Sequence, residues 1–206
     1  MITDAVQVIA WDFDGVLNNN IENGQFVWSK TFEQDLGLSH DAFASYLFQG
    51  RFHEAMAGKA DLRQLVSDWL SDQVTRHSAD DILHYWFHRD ARPDDRVLAM
   101  TERLAERGLI NIMATNNEVH RTAFIERDMG FGARMDHIFA AGRMGKVKPQ
   151  LSYFEHIQET LKLPPGAFLL IDDIAENTDA AQRAGWLAHH HKEGAYERLE
   201  DILDLS

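Results

Sequence analysis

The sequence predicts an α/β fold: a Rossmann-like parallel sheet with helices on both faces, plus a small inserted all-helical cap. Three observations carry this. Val6 to Phe13 (VQVIAWDF) is apolar, β-branched over its first half and closed by Asp14-Gly15, the pattern of a buried strand running into a turn. After Pro93 strands and helices take turns, which argues for βαβ units. Between these regions, from about Gln25 to about Arg89, only helical spacing is found.

In the middle block, Leu62, Leu65, Val66, Trp69 and Leu70 fall on one helical face, as do Ile82, Leu83, Trp86 and Phe87. Beyond Pro93 the reading is a helix to Arg107-Gly108, a strand Leu109 to Ala114, a helix Glu118 to Met129 and a short strand His137 to Ala140. Next come a helix Pro149 to Lys162, a Pro164-Pro165-Gly166 turn, a strand Ala167 to Ile171 and a helix to Ala184. A strand Trp186 to His189 and a helix Tyr196 to Leu203 complete the chain. The helical block lies between the first strand and the rest of the sheet, so both its ends return to one place on the core. The expected division is an α/β core of residues 1–16 and 91–206 with a helical cap of residues 17–90.

Composition narrows the function classes. The 206 residues, 45% of them hydrophobic, allow a sizeable buried core. A net charge of −13 opposes non-specific association with nucleic acid or anionic membrane, so neither is expected as a partner. The absence of cysteine excludes disulfides, thiolate metal sites and cysteine nucleophiles. The start MITDAVQVIAWDFDG has neither a basic leader nor a long apolar run, so the expected location is the cytoplasm. With this acidity, a phosphate-ester substrate requires a neutralising device at its site, most simply a divalent cation held by clustered carboxylates.

In an open parallel sheet, ligands bind beyond the carboxyl ends of the strands. The first such end gives Asp12-Phe13-Asp14-Gly15-Val16-Leu17, two acids spaced so that one faces the ligand and the other leaves the strand plane. The second gives Thr115-Asn116-Asn117, a hydroxyl and backbone amides before a helix N-terminus, an arrangement suited to an anion. Lys148-Pro149 sets a cation at the start of a helix. The strand Leu169-Leu170-Ile171 ends in Asp172-Asp173, a pair of acids that needs a cation or a helix dipole close by.

In this order the four elements resemble the haloacid dehalogenase-like superfamily: an aspartate nucleophile in DxDG, then Thr or Ser, then Lys, then an acidic pair. The resemblance runs from Val6 to about Trp186 and includes IDDIAENTDAAQRAGW. It implies that Asp12 is the nucleophile forming an aspartyl-phosphate, with Asp14 as acid and then base. It implies magnesium held by Asp12, the backbone carbonyl of Asp14 and Asp173, with Asp172 acting through water. Thr115, the amide of Asn116 and Lys148 would hold the transferring phosphoryl oxygens. Family dehalogenases generally lack the second aspartate, so Asp14 favours phosphoryl transfer.

The resemblance also likens AMAGKAD to the cap loop that faces the active site, which makes Arg51 and Lys59 candidate substrate contacts. Phe43, Phe48, Trp69, Trp86 and Phe87 are expected mostly as cap core, with one or two against substrate. His189-His190-His191 alternates across a strand and cannot face one ion with all three rings. The expected activity is a magnesium-dependent phosphomonoester hydrolase for a small phosphorylated metabolite, a sugar phosphate or similar, working as a monomer or homodimer. The alternatives are a phosphomutase of the same superfamily, or a non-catalytic phosphate-binding or regulatory domain. A plain nucleotide-binding domain would need a Gly-rich phosphate loop, which DFDGVLNNN lacks.

Overall fold

The computed structural model describes residues 4–205. The chain opens with strand β1 (Val8–Trp11), followed by the hairpin strands β2 (Ile21–Glu22) and β3 (Gln25–Phe26). Helices α1 (Phe32–Leu36), α2 (His40–Tyr46), α3 (Phe52–Met56), α4 (Leu62–Leu70) and α5 (Ala79–Arg89) then form the middle block. The remainder alternates: α6 (Asp95–Glu106), β4 (Ile110–Thr115), α7 (Val119–Arg127), β5 (His137–Ala140), α8 (Ala141–Met144), α9 (Leu151–Leu161) and β6 (Phe168–Asp172). Helix α10 (Ala175–Arg183), strand β7 (Leu187–His190) and helix α11 (Tyr196–Ile202) follow.

The large sheet runs β5-β4-β1-β6-β7 with every pairing parallel. Strand β1 is central, with Val8 opposite both Ile110 and Phe168 and Trp11 opposite both Met113 and Ile171. It is apolar without interruption because both of its faces are covered. Ile9, Trp11, Met113, Leu169 and Ile171 face a core completed by Val97, Leu104, Leu199 and Leu203 of α6 and α11 and the segment after it. Val8, Ala10, Ile112, Phe168 and Leu170 face the other way, onto Tyr153, Phe154 and Ile157 of α9 and Ala180 and Ala181 of α10. This two-sided alternation is the pleat of the strand written in the core.

Residues 27–87 hold a third hydrophobic cluster of their own. The ring centroids of Trp28 and Trp86 lie 4.9 Å apart, those of Phe43 and Trp69 4.9 Å, and Phe32 stacks on Phe43 at 5.2 Å. The helix starts are signalled locally: the Asp61 side chain accepts the Gln64 amide, and Ser78 and Asp81 form a reciprocal capping box. The segment expected to be all helical begins with the β2–β3 hairpin, whose turn is Asn23-Gly24 with both residues in the left-handed region. The strands and helices that the sequence reading bounded match to within a few residues at their ends, whereas the short helix α8 and the individual helices α1 to α3 were not among them.

The insert leaves and rejoins the sheet at adjacent points. Asn18 bridges to Pro93, the Asn19 amide donates to the Arg92 carbonyl, and the Asn18 amide group donates to the Asp90 carbonyl at 2.7 Å. A further approach lies beyond α3, where a Cβ placed on Gly58 would sit 2.4 Å from the carbonyl oxygen of Gly142. Among the described residues no helix is long and apolar enough to cross a membrane.

Candidate active site

Strand order reverses on either side of β1, and the predicted polar residues gather at the carboxyl ends of β1, β4 and β6. Asp12 follows β1 directly, Thr115 is the last residue of β4, and Asp172 is the last of β6. Asp12, Asp172 and Asp173 each offer a carboxylate oxygen, and these oxygens lie within 4.8 Å of one another. Gly15 turns the chain with φ 77°, and a Cβ there would lie 2.5 Å from Asp173 Oδ2, so only glycine lets the two loops close so tightly.

Lys148 reaches into this group from the loop before α9. Its Nζ lies 3.0 Å from Asp12 Oδ1 and 2.6 Å from Asp172 Oδ2, with no part of the side chain exposed. Burial by itself would drive the ammonium toward neutrality, but the two carboxylates outweigh it and the Lys148 pKa is raised. Asn116 secures the loop, its Oδ1 accepting the Lys148 amide and its Nδ2 donating to the Lys148 carbonyl, each at 2.9 Å. The oxygens of Asp172 are fully engaged, by Lys148, by Asn177 at 2.9 and 3.1 Å and by the Ile174 amide at 2.9 Å.

Asp12 and Asp173 are the carboxylates with capacity to spare. Asp12 Oδ1 accepts the Phe13 amide at 2.7 Å and the Lys148 ammonium, whereas its Oδ2 takes no hydrogen bond among the described residues. Burial, helped by the charges of Asp172 and Asp173 and opposed by Lys148, pushes the Asp12 carboxyl well above the usual range. Burial and the charge of Asp172 push Asp173 up to about 6. With all three acids ionised, one ammonium against three carboxylates leaves two negative charges uncompensated in a buried place. A hard divalent cation held by Asp12 and Asp173 fits that donor set and that charge.

Asp14 stands in a second network, which the sequence reading did not foresee. Its Oδ1 accepts from Arg121 Nη2 at 2.6 Å and from Asn20 Nδ2 at 2.7 Å, and its Oδ2 from Asn117 Nδ2 at 3.2 Å. Arg121, buried in α7, also reaches Asp90 Oδ2 at 3.2 Å, and Asn20 donates to the same oxygen at 3.1 Å. Burial, with the Asp14 charge adding to it and Arg121 opposing it, raises the Asp90 pKa. Asp90 Oδ1 in turn accepts the Trp28 amide at 3.2 Å. A chain of contacts therefore runs from Asp14 to both junctions of the insert.

These residues form the floor of a cavity of about 230 Å³ lined by Asp12, Asp14, Thr115, Asn116, Arg121 and Asp173. Its wall is formed by the insert, with Trp28, Phe48, Phe52, Met56 and Trp86 prominent. Thr115 is buried, its Oγ1 accepting from Asn117 Nδ2 at 2.8 Å. The α7 N-terminus is capped by the chain itself, the Glu118 carboxylate taking the His120 and Arg121 amides at 2.7 and 2.5 Å. That leaves the Thr115 hydroxyl and the Asn116 backbone, rather than the first turn of the helix, for an incoming anion. Arg51 and Lys59 are not brought to the cavity: both are exposed, and Arg51 pairs with Glu54 at 2.8 Å. Of the three histidines, His190 donates from Nε2 to the Asp173 carbonyl at 2.9 Å, while the rings of His189 and His191 are 6.3 Å apart.

Comparison with known proteins bears on the fold and the family. Sesquiterpene phosphatase astK of Aspergillus oryzae is 31% identical over 104 residues, covering 48% of this chain and 50% of that protein. The chain thus spans about half the length of that curated relative. Among solved structures, a HAD family enzyme of Bacteroides thetaiotaomicron in complex with magnesium and inorganic phosphate superposes with a TM-score of 0.76. Its identity is 16%, over 92% of this chain and 96% of that one. The L-2-haloacid dehalogenase of Xanthobacter autotrophicus superposes with a TM-score of 0.65 at 13% identity, over 98% and 84% of the two chains. At such identities the superpositions speak for the fold, which serves more than one chemistry. The sequence also matches the haloacid dehalogenase-like hydrolases over residues 6–185, and the chain belongs to that family.

Proposed function

We propose that the protein is a magnesium-dependent phosphomonoesterase. The observation that carries the reading is the convergence of Asp12, Asp14, Thr115 and Asp173 on one cavity floor, with Lys148 buried against Asp12. A carboxylate oxygen of Asp12 attacks phosphorus, the ester P–O bond breaks, and Asp14 gives its proton to the departing alkoxide. Asp14 then takes a proton from water, whose oxygen attacks phosphorus and breaks the bond to Asp12, regenerating the carboxylate and releasing phosphate.

Arg121 divides its guanidinium between Asp14 and Asp90, so Asp14 can carry a proton without leaving the guanidinium unpaired. Lys148 and the Thr115 hydroxyl hold the phosphoryl oxygens, and Asp172 acts by fixing Lys148. Asp12, Asp173 and the Asp14 carbonyl would hold magnesium, which would supply charge neutralisation of the phosphoryl group. Residues 1–16 and 91–206 serve as the catalytic core and residues 17–90 as a cap that excludes water, working in the cytoplasm.

The test is phosphate release from p-nitrophenyl phosphate with magnesium or with EDTA, beside Asp12→Asn. The expected result is metal-dependent turnover that falls at least about a thousandfold in the variant. Wild-type protein inert toward every phosphomonoester, or a variant as active as wild type, would overturn the reading.

A further inference from the structure

We propose that the leaving group expelled here is a compact apolar alcohol, aromatic or branched aliphatic, and not a sugar; this rests on the phosphomonoesterase reading above. The insert contributes eight side chains to the cavity, Trp28, Phe48, Met56 and Trp86 among them, and none carries a hydroxyl, amide or charge. Apart from the indole N–H groups of Trp28 and Trp86, the latter unpartnered among the described residues, side-chain hydrogen-bonding capacity is confined to the floor, where the phosphoryl group sits. A sugar would bring several hydroxyls against a wall with almost nothing to receive them, and each stranded hydroxyl costs about tenfold or more in affinity.

The rim points the same way. Phe26, Phe48 and Ile174 are among the few large apolar side chains left exposed, at 41%, 39% and 46%, and all three line this cavity. Exposed apolar groups gathered at one opening mark a surface waiting for an apolar partner. Charge excludes a second acidic group on the substrate. Arg121 is the only Lys or Arg lining the cavity among the described residues, and it is taken by Asp14 and Asp90. Arg51 and Lys59, which could have met a carboxylate or second phosphate, lie outside. Size limits the group further. Of about 230 Å³, the phosphoryl group takes a share. What remains is on the scale of the ~150 Å³ apolar cavity that holds one benzene.

The experiment compares esters of primary alcohols, so that leaving-group basicity is held close: benzyl, isopentyl and methyl phosphate against glucose 6-phosphate and 2-phosphoglycolate. The expected result is kcat/KM for benzyl and isopentyl phosphate about a hundredfold or more above glucose 6-phosphate and 2-phosphoglycolate. Turnover of methyl phosphate with no apolar preference overturns the substrate class and leaves the phosphatase reading standing. Turnover of none overturns both. An independent readout is competitive inhibition by the uncleavable phosphonates. Benzylphosphonate should bind about tenfold or more tighter than methylphosphonate, and Met56→Gln, close in volume, should erase most of that ratio at an unchanged Tm. Equal inhibition by the two phosphonates in the wild-type protein overturns the proposal.

Discussion

On the sheet side of the cavity, Lys148 lies within 3.0 Å of both Asp12 and Asp172, and Asp14 is held by Arg121, Asn20 and Asn117. On the insert side, Trp28, Phe48 and Met56 border the same space without a polar side chain among them. The two regions are stabilised differently. The floor is held by charge pairs that are strong only while complete, since a buried ion left without its partner is far worse than no ion pair at all. The wall is held by aromatic packing that tolerates replacement of one apolar group by another of similar volume. Chemistry common to a family belongs on the first kind of surface, and choice of substrate on the second.

The largest expected effect comes from breaking the floor. Lys148→Met leaves Asp12 and Asp172 buried without a cation and should cost about 3–5 kcal/mol of stability, read by denaturant unfolding, with activity lost at least about a thousandfold. Phe43→Ala, in the centre of the insert cluster, should cost about 3–5 kcal/mol. Hydrogen exchange separates it from the first variant: protection should fall in α2, α4 and α5 while β1, β4 and β6 keep theirs, and uniform loss would break the division into two regions.

Arg121→Met addresses the join between the regions. Leaving Asp90 buried without its guanidinium should cost about 3 kcal/mol, and kcat should fall about 10- to 100-fold. A purely structural role would leave kcat in place under conditions where the variant is folded, whereas loss of the contact to Asp14 should lower it, and Arg121→Lys should restore part of the rate.

A smaller effect is expected from pH at the sheet edge. Burial, with His191 and Arg198 adding repulsion, pushes His189 down to about 4, and His191 is lowered as well, chiefly by burial. Between that value and its ordinary pKa near 6.5 the unfolded chain binds a proton at His189 that the folded chain refuses, so the His189 contribution to stability falls as pH drops through this window and is flat above it, opposite in sign to that of the raised Asp173 carboxyl. His189→Leu should remove that component, so that the loss of Tm on going from pH 6.5 to 4 is smaller in the variant than in the wild-type protein. The smallest effect belongs to Arg51→Ala and Lys59→Ala, which should leave kcat/KM within about twofold; a larger loss would put the cap loop in contact with substrate after all.

Local chemistry was legible in the sequence where it is carried by neighbouring residues. Asp12-Phe13-Asp14-Gly15, Lys148-Pro149 and Asp172-Asp173 could be read because a strand end, a turn and a helix start are short-range events. The Asn23-Gly24 hairpin carried the same kind of signal and was passed over, since its strands are only two residues each. Arg121 and Asp90 were not legible. Asp14 lies 107 positions from its partner Arg121, and no periodicity in α7 distinguishes a buried guanidinium from a surface one. The aromatic residues of the insert could be seen, but the tertiary fold decides that Phe43 and Trp69 close a core while Phe48 and Trp86 face the cavity.

The contact at Gly58 sets the spacing of the two regions. Because a methyl group there would meet the Gly142 carbonyl oxygen at 2.4 Å, the approach of the loop after α3 to the sheet domain depends on a position occupied by hydrogen alone. A single added carbon would act as a spacer, propping the loop away from the backbone it now touches. The clearance between these two backbones thus fixes how closely the insert approaches the sheet.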